Sequence, residues 1–143
     1  MKLTVLLASA VLSGATALGC STGAESVASA SFPEEALATV QSQSGAFIVE
    51  VRTAPDQPPI REATSVEYRI RDASSAPVEG LKLTVLPWMP EMGHGASITP
   101  TVTDEGGGRY VVSDVQWVMP GDWELRTSIG PGQDSATPSF QIP

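Results

Sequence analysis

The chain has no asparagine, one cysteine and one histidine in 143 residues, and its aromatic content is limited to three Phe, three Trp and two Tyr. The absence of asparagine excludes N-linked glycosylation and leaves the turns to Gly, Pro, Asp and Ser. A single cysteine forms no internal disulfide. A single histidine would have to fill every general-base role, and neither a Gly-x-Ser-x-Gly nor a His-Glu-x-x-His pattern occurs, so the sequence does not read as an enzyme. Cations are scarce: 8 Lys and Arg stand against 16 Asp and Glu, a formal charge of −8. This balance excludes nucleic acid as a partner, because phosphate neutralisation needs a basic surface.

The first twenty residues read as an export signal, not as part of a domain. Lys2 supplies a short positive start, Leu3 to Leu12 is nearly all apolar, and Gly14 to Cys20 is small and weakly polar. The stretch is too short to span a membrane as a mature helix. Ala17-Leu18-Gly19-Cys20 resembles the bacterial lipobox, although its bulky residue sits one place late. That resemblance implies cleavage before Cys20, lipidation of its thiol, and a membrane-held domain facing the periplasm or the exterior. The alternative is ordinary signal cleavage near Gly19. The expected organisation is a signal over 1–19, a lipidated Cys20 and flexible linker over 20–44, and one domain over 45–143. Within the linker, Ser21 to Ser31 is rich in Ser, Ala and Gly. Phe32 to Val40 is expected to form a short helix with Pro33 and two Glu in its first turn.

Beyond Gly45 the period is two. Phe47, Val49 and Val51 alternate with Glu50 and Arg52, and Val66, Tyr68 and Ile70 alternate with Glu67, Arg69 and Arg71. Further runs are Leu81–Val85, Ile98–Thr103, Arg109–Val112, Val115–Met119, Trp123–Ile129 and Ser139–Ile142. Short strands with turn signals every 8 to 12 residues predict an all-β domain, an immunoglobulin-like antiparallel β-sandwich of about seven strands. The Gly106-Gly107-Gly108 run reads as a hairpin connection, since no Lys-Ser/Thr or helix follows for phosphate binding.

The chemistry gathers in Trp88-Met89-Pro90-Glu91-Met92-Gly93-His94-Gly95. Pro90 suits the second position of a turn that brings Met89 and Met92 together, and Gly93 frees the chain to bring His94 back toward them. Thioethers are soft ligands that favour Cu(I), and imidazole joins them readily, whereas Zn(II) prefers thiolates, several imidazoles or carboxylates. Trp88 or Trp117 is placed to cover such an ion with a ring face. The alternative for the methionines is gap filling at the sandwich end, and for the tryptophans plain packing.

This loop, the Gly108-Arg109-Tyr110 step and the Met119-Pro120-Gly121-Asp122-Trp123 turn resemble the YtkA-like domain and its FixH-like relatives. The resemblance implies a small immunoglobulin-like envelope domain with neighbours in copper handling. It carries over Met89, Met92 and His94 as metal ligands, with Met119 as a fourth. The function expected is an envelope-anchored lipoprotein that binds Cu(I) for handling or delivery, with an envelope protein as its partner. The alternative is a scaffold lipoprotein that presents loops or edge strands to another envelope protein without metal.

Overall fold

The structure is a computed structural model and describes residues 30–143. Ten strands follow in order: β1 Ala38–Gln41, β2 Phe47–Ala54, β3 Ala63–Asp72, β4 Lys82–Met89, β5 His94–Gly95, β6 Thr101–Gly106, β7 Arg109–Gln116, β8 Gly121–Gly130, β9 Asp134–Ala136 and β10 Ser139–Ile142. They form two antiparallel sheets. One has the order β1-β2-β3-β7-β6, the other β10-β8-β4-β5 with β9 also paired to β8. The expected β-sandwich is therefore present, with ten strands in place of about seven. The additional ones are short and carry too few residues to show a period.

Alternation builds the core. Val49 and Val51 of β2, Val66, Tyr68 and Ile70 of β3, and Tyr110 and Val112 of β7 are wholly buried on one inner face. Leu83, Val85 and Met89 of β4 and Trp123, Leu125 and Ile129 of β8 meet them from the other. Trp117 sits edge-on to both Trp123 and Phe140, each at 5.4 Å between ring centroids and 76° between planes. Loss of such an indole to alanine costs about 3–5 kcal/mol in a core. The Tyr110 hydroxyl donates to the Val78 carbonyl at 2.8 Å and accepts from the Leu81 amide at 3.1 Å, which fixes the crossover from β3 to β4.

Two expectations are corrected at the start of the domain. Phe32 to Val40 does not form a helix: Ala38–Gln41 is a strand paired with β2, Ala38 opposite Val51 and Val40 opposite Val49. A nine-residue helix has few hydrogen bonds to offset its nucleation, whereas the open edge of β2 supplies a full ladder to Thr39 and Val40. The linker accordingly ends earlier than Ser44. Gly45, expected as the domain boundary, lies in the β1–β2 turn, with φ of 77° and its amide donating to the Ser42 carbonyl at 2.9 Å. The signal and Cys20 lie outside the described residues.

A third difference joins two expected strands into one. Arg109–Val112 and the start of Val115–Met119 belong to the single strand β7. Thr64 faces Val115 while Val66 faces Val112, so Ser113 and Asp114 together oppose the single residue Ser65. Asp114 has φ of 63°. The extra residue of this β-bulge shifts the burial phase, and the shift reads in sequence as a break between strands.

Candidate functional site

The end of β4 turns directly into β5. Trp88 pairs with Gly95 and Met89 with His94, and the Gly93 amide closes the loop on the Met89 carbonyl at 3.0 Å. The reversal is thus one residue wider than the turn expected over Met89–Met92. Gly93 has φ of 66°, the conformation that returns the chain toward β4. Gly95 is required by close approach, because a Cβ there would collide with the Pro87 carbonyl oxygen.

Ladder geometry decides which side chains meet. Directly opposed residues of an antiparallel pair project from the same face, so Met89 and His94 leave the hairpin together. Met89 is 3% exposed and belongs to the core, while His94 is half-buried. Trp88, one residue earlier, projects from the opposite face and stacks under the Arg126 guanidinium at 4.6 Å. It does not cover an ion held at Met89 and His94, which corrects that expectation: neighbours on a strand point opposite ways. Met92 lies at the loop tip with 55% of its surface exposed, whereas Met89 is buried.

Met119 approaches from the β7–β8 connection. It is half-buried, packs against the same core, and its carbonyl accepts the Trp123 indole N–H at 3.0 Å. Two residues on, Gly121 has φ of 136°, and the space where its side chain would be is taken by the Met89 methyl group. Met89 therefore touches the Met119–Gly121 connection on one side and pairs with His94 on the other. Trp117 lies deeper in the core, and among the described residues its indole N–H has no hydrogen-bond partner.

The side chains at this end of the sandwich include the thioethers of Met89 and Met119 and the imidazole of His94. Among the described residues no three His, Cys, Asp or Glu side chains cluster closely enough to hold a metal. The chemistry available here is soft, suited to a monovalent ion such as Cu(I) and poorly suited to Zn(II) or Ca(II). That no side chain fits at Gly95 or Gly121 was not legible in the sequence. The Pro120-Gly121 pair was legible only as a turn.

Among the described residues no helix is long and apolar enough to cross a membrane. Neither a curated protein nor a solved structure matches the chain. Residues 43–128, more than half of the sequence, match the family model described as YtkA-like. They include the whole of the β4–β5 hairpin and the Met119–Gly121 connection, and the chain belongs to the YtkA-like family.

Proposed function

We propose that the domain binds one Cu(I) ion at the β4–β5 end of the sandwich, and that the protein serves copper handling or delivery as a lipid-anchored component of the bacterial envelope. The observation that carries this reading is the pairing of Met89 with His94 across the ladder, with the Met89 methyl seated over Gly121 two residues from Met119. Met89, His94 and Met119 would hold the ion. Met92, exposed at the loop tip, would take part in its capture and transfer. A bound ion would supply no catalysis here; the residues hold and release it. The anchor rests on Cys20, and a recipient envelope protein is the partner implied.

The test is an anaerobic Cu(I) titration of residues 30–143 against a competing chelator, with Ag(I) as a redox-stable mimic. One equivalent per chain is expected. Met89→Leu, Met119→Leu and His94→Ala should each weaken binding at least tenfold, and the Leu swaps should leave folding nearly intact, at a cost under about 1.5 kcal/mol. Failure to compete for Cu(I), or indifference to Met89→Leu and His94→Ala, overturns the reading.

A second reading is favoured by β6. It forms one edge of its sheet, and five of its six residues are exposed. An edge of this kind offers unpaired backbone groups to another chain, as a scaffold lipoprotein would. Thr103→Pro should then abolish partner binding while leaving Cu(I) affinity unchanged.

A further inference from the structure

The outer face of the first sheet departs from the charge balance of the chain. Arg52 of β2, Arg69 and Arg71 of β3 and Arg109 of β7 all project from it, four of the six arginines in a protein of formal charge −8. Two carboxylates answer them. Glu50 meets Arg52 at 2.8 Å and Arg71 at 3.6 Å, and Glu67, wholly buried, meets Arg69 and Arg109 at 2.6 Å each. Each carboxylate is shared by two guanidinium groups. Arg52 shows the same shortage of acceptors: its side chain is 5% exposed, and Nη1 has no partner among the described residues.

Three of the four arginines surround one open cleft of about 390 Å³, walled by Pro77, Gly107 and Gly108. Gly108 makes the cleft narrow. It has φ of 74°, and a side chain there would collide with Pro77 and the Ile70 carbonyl. The guanidinium groups at the rim keep much of their surface free, 30% for Arg69, 44% for Arg71 and 47% for Arg109. The nearby carboxylates of Glu79 and Asp104 are turned to the backbone: Glu79 accepts from the Gly107 amide, and Asp104 from the Gly80 and Gly106 amides.

We infer that this cleft is an anion site for a phosphoryl group. Planar guanidinium forks match phosphate oxygens in bidentate fashion, and three of them open on one cleft supply the donors for such a group. The site lies on the outer face of one sheet, whereas the Met89–His94 pair faces inward from the other, so its test is independent of the metal reading. Two sources carry this chemistry, a soluble phosphate or phosphomonoester and the headgroup of an anionic phospholipid.

The experiment follows backbone amide NMR shifts of residues 30–143 on titration with inorganic phosphate, with sodium chloride at equal ionic strength as reference. Shifts confined to 69–71 and 107–109 are expected. Arg71→Gln, at an exposed position that leaves Glu67 paired, should weaken phosphate binding about tenfold, the effect of removing one charge-assisted hydrogen bond. Arg126→Gln on the other sheet should not. Arg109→Lys keeps the charge and should still lose affinity through loss of the fork. In a second arm, sedimentation with phosphatidylcholine vesicles containing one-third phosphatidylglycerol tests the headgroup source. Arg71-dependent binding in either arm supports the site and names its source. Chloride producing the same shifts, or binding in both arms indifferent to Arg71→Gln and Arg109→Lys, overturns it.

Discussion

The Tyr68 hydroxyl lies 2.8 Å from the Thr127 hydroxyl, a buried hydrogen bond that joins β3 of the first sheet to β8 of the second. Burial drives the Tyr68 pKa well above its ordinary value of 10.0, so the phenol stays protonated and available as a donor. Thr127 also donates to the Leu125 carbonyl at 3.1 Å, so its oxygen keeps a partner when Tyr68 is shortened. Tyr68→Phe should therefore cost about 1 kcal/mol in urea unfolding, and Thr127→Val, which orphans the phenol, about 1–3 kcal/mol.

Gly121→Ala should destabilise the domain by about 1–3 kcal/mol, the usual cost of a side chain held in a sparsely populated backbone region. The steric part of the conflict is with the Met89 methyl, the mobile end of a flexible side chain. Most of the loss should thus persist in a Met89→Ala background. A double-mutant cycle in urea checks this, and near-complete rescue by Met89→Ala would show that packing, not backbone conformation, fixes the glycine.

Glu67 and its two arginines should respond unequally. Glu67→Ala removes the shared acceptor of Arg69 and Arg109 and should cost about 1–3 kcal/mol. Arg109→Ala leaves Glu67 paired with Arg69 and removes a half-exposed partner, so a loss of about 1 kcal/mol or less is expected. Equal losses would indicate that Arg69 alone does not satisfy the buried carboxylate.

Acid should weaken the fold through two carboxylates held below their ordinary values. The hydroxyls of Ser42 and Ser44 depress the Asp134 pKa from 3.8, and the Arg52 guanidinium depresses that of Glu50 from 4.5. A group depressed in the folded state contributes stability that is fully present above its unfolded pKa and is lost as pH falls through the folded value. Stability should therefore decline from about pH 4 downward. Asp134→Asn and Glu50→Gln should each lower stability near neutrality and flatten that decline, as measured by the urea midpoint against pH.

The alternation at Val66, Tyr68 and Ile70 made β3 legible, because three apolar residues at period two have one way to face a core. The burial of Val85 and exposure of Thr84 follow from the same rule. β1 was not legible, since its pairing is decided by the free edge of β2 and not by any pattern of its own. The Met89–His94 relation could be read as proximity. Its geometry could not, because whether two residues share a face depends on ladder register, which the loop sequence alone leaves open. The arginine face was visible as alternating charges, but its arginines come together only when β2, β3 and β7 lie side by side.

β9 and β10 dock in succession along one edge of β8, with Phe140 opposite Trp123. The Gln43 amide donates to the Ser135 carbonyl at 2.7 Å, and Ser44 hydrogen-bonds to Asp134, ninety positions away in the chain. These contacts tie the first hairpin of the domain to residues beyond the family match. A chain emerging from the ribosome accordingly lacks the cover that β10 gives Trp117 and Trp123 until that strand has been made. Until then those indoles are left without the last strand that packs beside them.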